Sequence, residues 1–173
     1  PFISAPCDVY YAFCSYPGDL NLYNKEGFPM APFRTKVPDY IKIVDFDEFL
    51  SCSDIISVHC TVTPQTKRMF NKDTFAKMKK GSYFINTARG EIVDENDLIE
   101  ALNSHHLAGA AIDVTVKEPI ASDCPLLDAE NLIITPHIAG SAYDVQVCGT
   151  KMVSETLDDW LNHLKPRNYV VYK

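Results

Sequence analysis

The chain has 173 residues, long enough for one ordinary domain with a hydrophobic core. Its 46% hydrophobic and 23% charged residues exclude wholesale disorder and a collagen-like repeat, and no apolar run approaches the ~20 residues of a membrane span. Lys and Arg number 16 against 23 Asp and Glu, a net charge of −7, so a basic face for nucleic acid is not expected.

Residues 1–40 are rich in aromatic side chains, Pro and Gly. One strand is predicted, Asp8-Val9-Tyr10-Tyr11-Ala12-Phe13, followed by turn and loop chemistry that Pro and Gly punctuate too often for a helix. So many rings imply packing against something, either as a flap over a site or as a subunit contact, the second being preferred.

A regular rhythm begins at residue 41. The apolar runs Ile41–Val44, Asp54–His59, Ser82–Asn86, Ala108–Val114 and Leu132–Thr135 are uniform, which predicts strands covered on both faces, as in a parallel sheet. Between them, Asp45–Ser51, Asn71–Lys79 and Asp94–Ser104 read as helices. The last carries Leu98, Ile99, Ala101 and Leu102 on one stripe, with Asp94 and Glu95 at its positive end. A long final helix is predicted from about Ala142 to His163, with Val145, Cys148, Met152, Leu157, Trp160 and Leu164 at helical spacing. Alternating strands and helices give an α/β class: a doubly wound parallel sheet flanked by helices, built by residues 41–173 with right-handed crossovers.

In such sheets functional groups gather at the carboxyl edge. Three strand ends carry reactive chemistry. Arg89 follows Ile85–Ala88, Glu118 follows Asp113–Lys117, and His137 follows Ile134–Pro136. An arginine clamps a carboxylate, a histidine moves a proton near neutral pH, and a glutamate orients that histidine. Each alone has a bland reading as a surface or loop group, but the three at one edge form a coherent set.

From about residue 41 to 169 the chain closely resembles the coenzyme-binding domain of the D-2-hydroxyacid dehydrogenases. The resemblance rests on Ser53–Cys60, Thr63–Thr66, Met78–Gly81, Asn86–Gly90, Gly109–Val114, Glu118-Pro119 and Thr135–Gly140, in that order. It implies a Rossmann-like domain. It also implies that Arg89 binds the carboxylate and carbonyl of a 2-oxo acid, that His137 is the acid/base, and that Glu118 pairs with it. Thr63, Thr87, Ala88, Asp113 and Gly140 would face a nicotinamide cofactor where one is bound.

The chain also departs from that family. It lacks the preceding substrate domain, and its glycines at 18, 27, 81, 90, 109, 140 and 149 form no G-x-G-x-x-G turn to cradle a pyrophosphate. The fold is therefore expected to be an incomplete, single-domain version. No acid stands near Phe13, where the adenosine ribose would be bound, and Thr61 occupies a position usually held by Pro. A short natural gene starting Met-Pro and a fragment of a longer one both fit the opening Pro1. Tight binding of a cofactor is not expected, with NAD(P) as the alternative.

Three functions follow. The preferred one is a cofactor-independent lyase or isomerase in which Arg89, His137 and Glu118 act on a small carbonyl or carboxylic-acid substrate without hydride transfer. The others are an NAD-dependent 2-hydroxyacid oxidoreductase, or a piece of one, and a non-catalytic binding protein on the same scaffold. A homodimer is expected, because an incomplete sheet leaves an edge and an apolar helix seat to cover. Neither nucleic acid nor membrane is expected as a partner.

Six cysteines show no C-x-x-C spacing and no His to complete a zinc set, so no metal is expected. Without a signal segment they read as reduced, mostly buried thiols of a cytoplasmic protein, Cys60 and Cys124 included. His59 is expected to make a structural hydrogen bond to backbone, His105 and His106 to lie on the surface after a helix end, and Trp160 to anchor the last helix.

Overall fold

The computed structural model describes residues 42–165, together with the strand backbones of residues 2–4 and 11–14. In chain order the strands and helices are β1 (Phe2–Ser4), β2 (Tyr11–Cys14), β3 (Lys42–Val44), α1 (Phe46–Cys52), β4 (Ile55–Val58), α2 (Lys72–Lys77), β5 (Tyr83–Asn86), α3 (Glu95–Asn103), β6 (Gly109–Ile112), β7 (Leu132–Ile134) and α4 (Tyr143–Leu161).

The first three helices start where a short polar side chain accepts otherwise unpaired amide protons. Asp45 receives Glu48 N–H ahead of α1. Asn71 and Thr74 form a capping box at α2. Asp94 receives the Asn96 and Asp97 amides at α3. The predicted helices begin at these same residues, Asp45, Asn71 and Asp94.

β2, β4, β5, β6 and β7 form a five-stranded sheet in that order, and every neighbouring pair is parallel. The result is a Rossmann-like arrangement of parallel strands and crossover helices. β3 differs from its prediction. It leaves the main sheet and pairs antiparallel with β1, Phe2 opposite Val44. The connection 45–54 is shorter than the dozen or so residues that a crossover to a parallel neighbour takes.

Because the order steps steadily one way, right-handed crossovers place α1, α2 and α3 on one face. Ile56, Val58, Phe84, Ala110 and Ile112 point there and bury with Phe49, Leu50, Phe70, Phe75, Leu98 and Leu102. Phe84 is the hinge of this core, with ring centroids 4.9 Å from Phe70 and 5.3 Å from Phe75. Cover on both faces, as the uniform runs predict, is not what the described residues show. Tyr83 and Ile133 are more than half exposed on the opposite face.

The last helix, α4, also departs from its expected packing. Val145, Met152, Leu157 and Trp160 are all exposed, so Trp160 does not anchor the helix among the described residues. Residues 5–10 and 15–40, which hold the remainder of the predicted Asp8–Phe13 strand and the aromatic segment, lie outside the described residues. Among the described residues no helix is long and apolar enough to cross a membrane, and no group of His, Cys, Asp and Glu could hold a metal ion.

Candidate functional site

The site is built at the carboxyl ends of β4, β5, β6 and β7. At the end of β5, the buried Asn86 closes the turn that follows it. Its Nδ2 donates to the Arg89 carbonyl at 2.9 Å and its Oδ1 accepts the Ala88 N–H at 3.0 Å. Arg89 is thereby presented at the surface, one guanidinium nitrogen donating to the Ala88 carbonyl at 2.6 Å.

Beyond β6 lies Asp113, 4% exposed, whose carboxylate is spent on the turn after β7. Oδ1 accepts the Thr135 hydroxyl at 2.5 Å and the Ile138 N–H at 2.9 Å, and Oδ2 accepts the Ala139 N–H at 2.8 Å. Burial pushes the Asp113 carboxyl up, but those three donors and the nearby His137 outweigh it and hold the group below its ordinary value. His137 sits inside the clamped turn at φ 54°, a left-handed conformation that a residue with a Cβ keeps only when its surroundings enforce it.

Glu118 joins this turn from the loop after β6. Its Oε2 meets His137 Nδ1 at 2.6 Å, and its Oε1 accepts the Thr115 N–H at 3.0 Å. The bond to His137 comes first in holding the Glu118 carboxyl below its ordinary value. The Thr115 amide and the positive charge of Arg89 act in the same direction. Glu118 is thus hydrogen-bonded to His137 and lies within electrostatic reach of Arg89.

Beside them a cleft of about 470 Å³ is lined by His59, Cys60, Thr61, Val62, Thr87, Ala88 and Arg89. Thr63 is not among its lining residues. The Thr63 N–H donates to Thr66 Oγ at 2.7 Å, and Thr66 Oγ donates to the Thr61 carbonyl at 2.7 Å, so this pair clips the loop that forms one wall. Gly140 follows the His137 turn, with open space where a Cβ would stand.

His59 Nε2 shares a hydrogen bond with Ser57 Oγ at 2.8 Å, and burial lowers its pKa. His105 is exposed, 4.0 Å from Glu130. His106 is half-buried instead, its Nε2 3.0 Å from the Met78 carbonyl, because the chain turns back after α3 toward the end of α2. Cys60 is buried and Cys124 half-buried, whereas Cys52 and Cys148 are exposed on helices, against the expectation of mostly buried thiols.

Two contributors escaped the sequence reading. Asn86 carries a recognisable signal, an Asx side chain at the start of a tight turn. Glu95 carries none: it accepts the Val116 N–H at 2.7 Å, a partner 21 positions away.

Comparison with known proteins places these residues in context. Residues 27–139 match the family model of the D-isomer specific 2-hydroxyacid dehydrogenase, NAD binding domain. A hydroxypyruvate reductase of Blautia hydrogenotrophica is 49% identical over 98 residues, 57% of this chain and 30% of the relative. The structure of an NAD-dependent formate dehydrogenase from Staphylococcus aureus in complex with NAD superposes with a TM-score of 0.65 and 36% identity, over 82% of this chain and 44% of that one. A D-isomer specific 2-hydroxyacid dehydrogenase from Xanthobacter autotrophicus in complex with NADPH and MES gives 0.64 and 34%, over 73% and 51%. The chain spans well under half the length of the curated relatives it matches.

These findings overturn two expectations. A cofactor-independent lyase or isomerase is not supported, since the relatives are 2-hydroxyacid dehydrogenases. The expectation that no cofactor binds tightly falls too, because the matching model is a NAD-binding domain and the neighbouring structures hold NAD and NADPH. A motif not found within a stretch shorter than half of its relatives carries no weight against the cofactor.

Proposed function

The chain belongs to the D-isomer specific 2-hydroxyacid dehydrogenase family through its NAD-binding domain, and from that premise we propose that it serves an NAD(P)-dependent oxidoreductase acting on a small 2-hydroxy or 2-oxo acid. The observation that carries this reading is the 2.6 Å contact between His137 Nδ1 and Glu118, with Arg89, which lines the cleft, within electrostatic reach of Glu118.

A nicotinamide ring needs a concave site at the carboxyl edge of the sheet, with apolar walls and a few convergent polar groups. The cleft between the β4 and β5 ends fits that requirement. Val62, Thr87 and Ala88 would hold the ring side of the cofactor, which when bound supplies or accepts the hydride.

The chain's own residues supply the rest. An ionised carboxylate only accepts hydrogen bonds, so Glu118 requires the proton on His137 Nδ1. In the neutral ring Nε2 is then the basic nitrogen, the one left to exchange a proton with the substrate oxygen. In reduction the imidazolium gives that proton to the carbonyl oxygen. In oxidation the neutral ring takes it from the hydroxyl. Arg89 has guanidinium donors left for a carboxylate, which orients the 2-carbon and polarises its carbonyl. Asp113 shapes the turn that presents His137.

The family acts on small-molecule 2-hydroxyacids. The cytoplasm and a homodimeric assembly complete the reading.

The test is steady-state reduction of small 2-oxo acids by NADH or NADPH, with cofactor binding followed by calorimetry. His137→Ala is expected to lower kcat by about 10²–10⁴-fold while leaving cofactor affinity in place. Turnover equal to that of the unmodified protein, or a flat calorimetric titration, sinks the assignment.

A further inference from the structure

The loop that carries Glu118 is also held by the start of α3. Glu95, the first residue of α3 and half-buried, accepts the Val116 N–H at 2.7 Å. One residue earlier, the Thr115 N–H donates to Glu118 Oε1 at 3.0 Å, and the Thr115 hydroxyl donates to the Lys117 carbonyl at 2.9 Å. Gly90, directly after Arg89, presses on the same peptide. A Cβ there would fall within 3.0 Å of the Thr115 carbonyl carbon and oxygen and the Val116 nitrogen. The Arg89 turn, the start of α3 and the Glu118 loop therefore meet at one peptide group, Thr115–Val116.

We propose that Glu95 is a positioning residue for the acid–base pair. By holding the Val116 N–H, it fixes the Thr115–Val116 peptide and with it the Thr115 backbone dihedral ψ, which keeps the neighbouring Val114–Thr115 peptide turned so that the Thr115 N–H meets Glu118, which in turn orients His137. The inference rests on the reading of Glu118 and His137 as that pair.

The choice of residue follows from the geometry. A hydrogen bond from an amide to a carboxylate is stronger than one between neutral groups. An acid in the first turn of α3 is also favoured by the positive helix end, so Glu95 serves the loop without destabilising its own helix. Gly90 sets how near the peptide comes, and Glu95 sets how it is turned. The groups facing Glu118 are His137 from the β7 turn, Arg89 from the β5 turn and the Thr115 amide of its own loop. Glu95 governs only the last of these.

The experiment is a carbon-detected NMR titration of the Glu118 carboxyl, with hydrogen exchange at the Val116 amide, in Glu95→Ala, Glu95→Gln and His137→Ala. Glu95→Ala is expected to raise the Glu118 titration toward its ordinary value and to speed Val116 exchange about tenfold, the loss of one charge-assisted bond. Glu95→Gln keeps an acceptor and is expected to restore most of both. An unmoved Glu118 titration in Glu95→Ala overturns the proposal. So does a shift in Glu95→Gln as large as in Glu95→Ala, which would show that an acceptor at this position is not what holds the peptide. His137→Ala separates the two readings. If it fails to raise the Glu118 titration, the acid–base pair itself falls and the role of Glu95 falls with it. If it succeeds while Glu95→Ala does nothing, only Glu95 is dismissed.

Discussion

The turn after β5 and the turn after β7 are each held by one buried polar side chain, by opposite means. Asn86 closes its own turn, donating to Arg89 and accepting from Ala88 within three residues. Asp113 reaches across to another strand's turn, accepting from Thr135, Ile138 and Ala139, which lie 22 to 26 residues on. An amide both donates and accepts, so it can complete a local ring. A carboxylate only accepts, so it must collect donors, and here they arrive only when β6 and β7 pair. The arginine side of the site is therefore a local structure, and the histidine side exists only as a tertiary one.

Three substitutions test that contrast. The largest effect is expected where the two sides touch. Gly90→Ala drives a methyl into the Thr115–Val116 peptide, which is backbone and cannot swing aside. A loss of roughly 3 kcal/mol, or a fall of about 10 °C in melting temperature, is expected by calorimetry. A melting temperature within a degree or two of the parent would mean that the turns are not packed so closely.

Asp113→Asn comes next, at about 2 kcal/mol, because an NH₂ group would face an N–H that now meets an oxygen. This difference depends on pH. The Asp113 carboxyl lies below its ordinary 3.8 in the folded protein, so its contribution is complete above that value and is lost as pH falls through the depressed one. Urea unfolding at pH 7 and at pH 3 should show the gap between parent and variant narrowing in acid. A gap that widened would reverse the sign of the argument.

Asn86→Ala is expected to be the mildest, at about 1 kcal/mol, since the Arg89 and Ala88 backbone groups can turn to water when their partner is removed. Its signature is local: the Ala88 amide loses exchange protection while the Ile138 and Ala139 amides keep theirs. Equal loss at all three would erase the distinction between a local and a tertiary turn.

Much of this molecule was open to a reader of the chain alone. Asp45, Asn71 and Asp94 announce their helices because a cap acts within three residues of itself. The strand ends at Asn86, Ile112 and Ile134 place Arg89, Glu118 and His137 on one edge, because parallel strands all run the same way. The quoted motifs also named the family correctly. The departures arose where a side chain's role depends on a distant partner. Trp160 and its apolar neighbours on α4 have the period of a packed helix and lie exposed. β3 has the composition of a core strand but pairs with β1. Glu95 reads as a dipole residue, yet it holds an amide of another loop.

The sequence by itself determined the alternation of elements, the helix starts and which polar side chains stand at the carboxyl edge, because periodicity, capping and turn chemistry are forces that act over a few residues. Only the tertiary structure decided that Asp113 clamps the histidine turn, that Gly90 and Glu95 meet at Thr115–Val116, and that α1, α2 and α3 share one face of the sheet. Those outcomes depend on strand order and crossover hand, which bring together residues that no local pattern links.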